Sequence, residues 1–244
     1  MRQIRLYVDM PLAGANELTL PTAVARHAVR VLRLADGQPV TLFNGDGCDY
    51  TGTLEHMEGN TARVRLHAGQ QLASEPVWPL TLVQCLAKGD KMDLVVQKAT
   101  ELGVTRIVPA LGERSEVRLD AARADKRLKH WQAIAASACE QCGRARLPVI
   151  EAPQPLTQWL ERLEPDSALR LALMPGAQKR IRDLVMPDDG AIMVIGPEGG
   201  LGDRDIAALT AAGFSALALG PRILRTETAG LAALAAIHAC HGDM

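Results

Sequence analysis

The sequence predicts an α/β chain in which a mainly parallel sheet, covered by helices on both faces, follows a small β-rich unit. Three observations predict it. From about residue 80 onward, short apolar runs alternate with helical patterns, which is how parallel strands and their crossover helices read. The first seventy or so residues instead carry short alternating segments separated by turn signals. Between the two lies GQQLASEPVWP (69–79), with two prolines and no periodicity. It places a boundary near 70–78 and divides the chain into 1–72 and 76–244.

The elements follow in order. RQIRLYV (2–8) alternates polar and apolar residues, as a half-buried strand does. PTAVARHAVRVLR (21–33) starts with a proline and keeps Val24, Ala28, Val31 and Leu32 on one helical face. PVTLFN, DYTGTLEHM and TARVRLHA read as strands joined by the turn signals NGDG and EGN, a spacing that suggests a compact barrel. In the second part, LTLVQCLA is a buried strand. GDKMDLVVQKATELG is a helix with Asp90 placed to cap it, Gly103 placed to end it, and Met92, Val95, Val96, Ala99 and Leu102 as its stripe. VTRIVPA is a strand and DAARADKRLKHWQAIAASACEQC a long helix. LPVI, ALRLALM, AIMVI and ALAL are short apolar strands, and TETAGLAALAAIHAC is a helix.

Bulk properties narrow the function. The 244 residues are 48% hydrophobic with a formal net charge of −1, enough for a sizeable core and too neutral for a grossly basic nucleic-acid binder. A local basic face stays open, because the field at a site depends on where charges lie. Aromatics are 3%, too few for extensive base stacking. No apolar run approaches the roughly 18 residues of a membrane span, and MRQIRLYVDM lacks the apolar core of a signal peptide. Five irregularly spaced cysteines do not form a disulfide framework, so a reduced, cytoplasmic setting is expected.

In open α/β sheets ligands sit beyond the carboxyl ends of the strands. Three loops in that position are rich in Gly and Pro: LALMPGAQ (171–178), IGPEGGLG (195–202) and LGPRILRTETA (219–229). Glycines let main-chain groups approach a ligand, so the three loops together make a pocket for a flat polar group read by backbone hydrogen bonds. Tight strand-to-helix turns are the bland alternative for any one of them. The dinucleotide and phosphate-loop motifs are missing, and Glu198 would repel a phosphate, so a neutral or cationic ligand fits better. In RILRTETA, Thr226 reads as a cap and Glu227 suits the helix dipole. Arg225 is a cation near a helix N-terminus, against the dipole, and a residue set against a local rule points to function.

Two further constellations bear on function. Cys139 and Cys142 form C-x-x-C, but His238 and His241 are too close together and about a hundred residues away, so no metal site is expected. Basic residues gather in two places. Arg2, Arg5, Arg26, Arg30 and Arg33 lie in the N-terminal unit, the last three at helical spacing. Arg118, Arg123, Lys126, Arg127, Lys129 and Arg144 lie between Arg114 and Arg146. A solvated helix face explains any single one; two clusters in different domains bracket a phosphate backbone.

Six stretches together resemble a known family: HAVRVLR (27–33), KGDKMDLVVQKATELGV (88–104), ERSEV (113–117), EQCGRARLPVI (140–150), IGPEGGL (195–201) and LGPRILRTETA (219–229). Nearly end to end, the chain resembles the RsmE family of 16S ribosomal RNA uridine-N3 methyltransferases in the SPOUT superfamily. The resemblance implies a PUA-like RNA-binding β-barrel over 1–72 and a SPOUT α/β domain with a deep trefoil knot over 76–244. It implies S-adenosylmethionine as cofactor. It also implies a homodimer in which the partner subunit completes the site, a role that fits the small residues Ala229, Gly230, Ala232, Ala233, Ala235 and Ala236 of the last helix.

Carried over by position, the cofactor would be held by Leu173 and Met174 of the first loop and by Gly196, Pro197, Glu198, Gly199 and Gly200 of the second. Leu219, Gly220, Ile223, Leu224 and Arg225 of the third would complete the set. The reaction would join a methyl group to N3 of a uridine in 16S ribosomal RNA or the assembled small subunit, at an exposed or non-canonically paired position. Arg225 would stabilise the uracil anion, and Glu227 is the alternative, as a base. RNA would be held by Arg2, Arg5, Arg26, Arg30, Arg33, Arg114 and Arg144. Methylation at another RNA position, or ribosomal RNA binding without catalysis, are the competing readings.

Overall fold

The computed structural model describes residues 4–58, 61–72, 75–117, 120–242 and 244. Arg2 and Arg118 lie outside them, as does most of the turn at 58–60. The chain divides into two compact units, one of residues 1–75 with 136–147, the other of residues 76–135 with 148–244.

In the first unit, β1 (Arg5–Tyr7), β2 (Glu17–Thr19), β3 (Pro39–Phe43), β4 (Cys48–Glu58) and β5 (Thr61–Gln71) form one sheet in the order β1-β3-β4-β5-β2. The β1–β3 pair is parallel and the others antiparallel. As hydrogen bonds go, the expected barrel is a five-stranded ladder with two ends. In β5 the residues alternate, so Ala62, Val64 and Leu66 face the core while Arg63 and Arg65 face water. Leu6, Leu42 and Leu54 join them, with Ala25 and Ala28 from the helical segment. That segment is not one regular helix. It is α1 (Thr22–Arg26) running into a π-helical turn at His27–Val31. Arg33, beyond its end, sits in the left-handed region at φ 53° and so leaves the helical face that its spacing to Arg26 and Arg30 predicts.

The second unit contains β6 (Leu80–Cys85), α2 (Lys91–Glu101), β7 (Arg106–Leu111) and α3 (Ala121–Cys142), whose residues from Ala136 onward group with the first unit. Then come β8 (Val149–Ile150), β9 (Gln154–Pro155), α4 (Leu156–Leu160), β10 (Leu169–Leu173), β11 (Lys179–Arg180), β12 (Ala191–Ile195), α5 (Asp203–Ala211), β13 (Ser215–Ala218) and α6 (Thr226–His241). The sheet runs β11-β13-β10-β12-β6-β7-β8, with β9 also on β7, and its pairings are parallel.

Both faces of this sheet are covered, which is why its strands read as continuous apolar runs. Leu82, Met193 and Ile195 point to one face, where Met92, Val96 and Ala99 of α2 and Ala233, Leu234 and Ile237 of α6 cover them. Their neighbours Val83, Ile192 and Val194 point to the other face, under Leu156 and Trp159 of α4, Leu209 of α5 and Phe214. Gly103 ends α2 at φ 81° as predicted. Asp90 does not cap it with its side chain; only its carbonyl takes part, accepting the Asp93 N–H at 3.1 Å. Among the described residues no helix is long and apolar enough to cross a membrane.

Candidate functional site

β13, β10 and β12 are neighbours in the sheet, so the loops that leave their carboxyl ends converge. These are the three Gly- and Pro-rich loops of the sequence. They surround a cavity of about 710 Å³, floored by Ile195, Leu217 and Ala218 and walled by Leu173, Met174 and Pro175, by Gly196–Glu198 and Gly200, and by Leu219, Gly220 and Arg222–Glu227. Lys91, at the start of α2, completes the wall.

The second loop is shaped by close packing. Gly200, at φ 72°, donates its N–H to Pro197 O at 2.9 Å and closes a turn over Glu198 and Gly199. At Gly196 a Cβ would stand 2.9 Å from Leu201 N and 3.1 Å from Gly200 C, so any side chain would push the loop's own backbone aside. A second loop clamps this one from outside. Asp205, buried in the first turn of α5, accepts from Gly202 N at 3.1 Å and from Glu113 N at 2.9 Å. Glu113 returns the tie by accepting from Arg204 N at 3.0 Å, and the Arg114 guanidinium donates to Gly199 O at 3.2 Å.

Charge is arranged across the cavity's rim. Lys91 Nζ donates to Glu198 Oε1 at 2.9 Å and stands 3.4 Å from Glu227 Oε2, joining the second loop to the first turn of α6. Burial pushes the Glu198 carboxyl up, but Lys91 and the backbone N–H groups of Glu198 itself and Lys88 pull harder and hold it below the ordinary carboxylate value. The hydrogen bond to Glu198 raises Lys91 in return, against its own desolvation. Glu227 Oε2 is buried and, beyond this ion-pair contact, has no hydrogen-bond partner.

Thr226 is not the cap of α6. Its hydroxyl donates to Gly196 O at 2.6 Å and accepts from the buried Gln84 Nε2 at 2.8 Å, so it fastens the second loop to the helix and to β6. Arg225 occupies the cap position in extended conformation, exposed. Among the described residues its guanidinium has no ion pair or hydrogen bond.

Most of the predicted cofactor residues lie on the cavity wall: Leu173, Met174, Gly196, Pro197, Glu198, Gly200, Leu219, Gly220, Ile223, Leu224 and Arg225. Gly199 does not; it faces Arg114, 3.2 Å from a Cβ built on it to the arginine's Cβ. Of the predicted RNA-binding arginines, Arg26, Arg30, Arg33 and Arg114 are exposed. Arg5 and Arg144 are committed inside the first unit. Arg5 bonds Asp49 at 2.6 Å and the carbonyls of Cys139 and Arg144, and lies over the Phe43 ring. Arg144, 4% exposed, pairs with Glu75 at 3.0 Å. Charge counting along the sequence cannot separate such arginines from solvated ones. In the C-x-x-C pair, a hydrogen bond with Cys142 and burial push the Cys139 thiol up, which keeps it protonated.

Residues 73–238 match the family described as RNA methyltransferase domain, and residues 20–66 the RNA methyltransferase PUA domain. The ribosomal RNA small subunit methyltransferase E of Mycobacterium bovis is 34% identical over 216 residues, covering 86% of this chain and 82% of that one. The protein of the same name from Buchnera aphidicola subsp. Schizaphis graminum is 29% identical over 240 residues, covering 98% and 97%. Among solved structures, a Legionella pneumophila protein described as a methyltransferase, in complex with S-adenosylmethionine, aligns over 100% of both chains at a TM-score of 0.93 and 36% identity. The ribosomal RNA small subunit methyltransferase E of Neisseria gonorrhoeae, bound to S-adenosylmethionine, aligns over 99% of both at 0.92 and 37%.

Proposed function

The chain belongs to the RNA methyltransferase family whose relatives include the ribosomal RNA small subunit methyltransferases E, and on that premise we propose that it methylates N3 of a uridine in small-subunit ribosomal RNA, with S-adenosylmethionine as donor. The observation that carries this reading is the cavity at the meeting of the three loops, which the residues fit to such a donor. Its floor is apolar, and Gly200 and Gly220 leave open space where side chains would stand. Its charged groups include the Glu198 carboxylate and the buried Glu227 Oε2, which has no hydrogen bond to satisfy it. With Lys91, Arg222 and Arg225 on the same wall, the cavity offers both signs of charge, which suits a ligand that carries both, as S-adenosylmethionine does.

When bound, the cofactor supplies a methyl group activated by the positive charge on its sulfur. Leu173, Met174, Leu219 and Leu224 would hold its apolar parts, and the main chain at Gly196, Gly200 and Gly220 would hold its polar edge. Uracil N3 takes the methyl group and gives up its proton, so negative charge builds on the two uracil oxygens before or during transfer. Arg225, at the rim with its guanidinium uncommitted, is placed to donate to those oxygens. Glu227 is the second candidate, as acceptor of the N3 proton directly or through water. Its place beside Lys91 already gives it a structural role, which favours Arg225 as the residue on which turnover depends.

Three finer readings belong to the same proposal. The connection from β12 to β13 crosses β10, and a knotted path through the three loops, which the family resemblance implies, would run there. The exposed Arg26, Arg30 and Arg33 of the N-terminal unit supply cations for RNA, with 1–72 as the RNA-holding part and 76–244 as the catalytic part. The half-buried Ala232 and Ala235 of α6 support a second copy packing there to complete the site. Titration with S-adenosylmethionine, ATP and NAD should show saturable binding of the first alone. Incubation with small ribosomal subunits, then nuclease digestion and mass spectrometry, should place one methyl on a uracil ring. A methyl on ribose, or binding of RNA with no methylated product, would replace this reading by one of its competitors.

A further inference from the structure

We propose that the cleft beside the main cavity, between the loops after β10 and β13, is a subsite for a backbone phosphate of the RNA next to the methylated uridine, held by Arg180 and Arg222. This rests on the methyl-transfer reading. The cleft measures about 290 Å³ and shares Pro175, Ala218, Gly220, Arg222 and Ile223 with the main cavity, so a group bound in it lies beside whatever enters the cavity. That volume is at the bottom of the range of small-molecule pockets, about 300–1,000 Å³, and suits a phosphodiester group better than a whole cofactor.

The charges of the cleft are one-sided. Among the residues that line it, Arg180 and Arg222 are charged and none is acidic. Several cations elsewhere in this unit have an acidic partner: Lys98 with Glu101, Arg106 with Glu151 and Arg170 with Asp166. Arg180 and Arg222 are exposed, line one small cleft, and have no ion pair or hydrogen bond among the described residues. Two exposed arginines on one small concavity leave a positive charge there that an anion would balance, and the planar donor fork of arginine matches phosphate oxygens in pairs. S-adenosylmethionine carries no phosphate, and its one anionic group is the methionine carboxylate; the RNA strand is the substrate that carries phosphates. An RNA strand provides one phosphate beside each base.

The test measures binding of the full-length protein to purified small ribosomal subunits across a salt series, with S-adenosylmethionine affinity measured in parallel. Arg180→Gln and Arg222→Gln should each weaken RNA binding and flatten the plot of log affinity against log salt by about 0.7–0.9 for each phosphate no longer neutralised. Cofactor affinity should stay unchanged in Arg180→Gln, whose residue lines the cleft and not the main cavity. Arg182→Gln is the control. It removes the same charge two residues from the edge of the cleft's first loop, but from a side chain that faces Asp183 at 3.7 Å. An unchanged slope in both variants overturns the proposal. So does an equal flattening in Arg182→Gln, which would mean general charge rather than a site. A loss of cofactor affinity with RNA binding intact would assign the cleft to the cofactor. Because the readout is binding, a wild-type protein that binds the subunits but transfers no methyl refutes the reaction and leaves this result readable.

Discussion

Arg225 stands where a helix least favours a cation, and nothing among the described residues neutralises it. Replacement by Ala should lower kcat by about 10²–10³-fold, the usual cost of removing one donor to a developing anion, and leave S-adenosylmethionine affinity within a few-fold. Single-turnover kinetics beside a binding titration checks this; near-normal turnover would shift the role to Glu227. Lys91 breaks the same dipole rule at the start of α2, and its role was just as legible by that criterion. It escaped because its partners Glu198 and Glu227 are far off in sequence, the first 107 residues away, and only folding brings them together. The Lys91–Glu198 tie has a defined pH window. Glu198 lies below its ordinary 4.5 when folded, so its contribution is present above that pH and fades as pH falls through the lowered value. Lys91 lies above its ordinary 10.5, so its contribution is present below that pH and fades as pH rises through the raised value. Cofactor affinity should therefore be flat through neutral pH and fall in acid. Lys91→Met should weaken it severalfold or more, because it removes the exposed tie to Glu198 and also, among the described residues, the ionic partner of the buried Glu227 oxygen; titrations over pH would reveal either departure.

At the scale of elements, the loops were readable and their fastenings were not. Gly and Pro directly after apolar strands marked the cavity's three walls, because only such residues make those turns. The residues that hold the walls in place are ordinary in sequence. Thr226 reads as a cap and is instead a two-way fastener between Gly196 and Gln84, and Asp205, not among the sequence-predicted site residues, holds Gly202 and Glu113. Asp205→Ala would leave the N–H groups of Gly202 and Glu113 without their acceptor, at about 1–3 kcal/mol each where buried, and the melting temperature should fall by several degrees. Gly196→Ala should act differently. Its Cβ would meet Leu201 N at 2.9 Å, so the cavity wall must move, and cofactor affinity should drop more than stability does. Thermal melts and cofactor titrations of the two variants separate fastening from shape; equal effects on both measures would show that the loop has no such division.

At the scale of the whole molecule, the alternation of apolar runs and helical patterns was enough to predict the parallel sheet, since each crossover helix leaves its own period. Strand order was not readable, because the β12-to-β13 connection passing β10 leaves no local mark. Short pieces such as β2, β9 and β11 have too few residues to show a period. The helix α3 reads as one uninterrupted amphipathic stretch, yet its residues from Ala136 group with the N-terminal unit together with the segment to Leu147. The reason lies in what that segment bonds. Arg5 donates to the carbonyls of Cys139 and Arg144, Tyr7 N–H to Glu140 at 2.9 Å, Gly47 N–H to Ala145 O, and Glu75 accepts from both Arg144 and the Arg146 N–H. A cut at the sequence boundary, leaving 76–244, therefore strips residues 136–147 of these partners and uncovers the buried Arg144 charge. Amide hydrogen exchange in that segment should speed up sharply in the truncated chain while β6, β10 and β12 stay protected, because their covers lie within the second unit. Equal protection of 136–147 in the full and truncated chains would mean that the segment needs nothing from the first 75 residues.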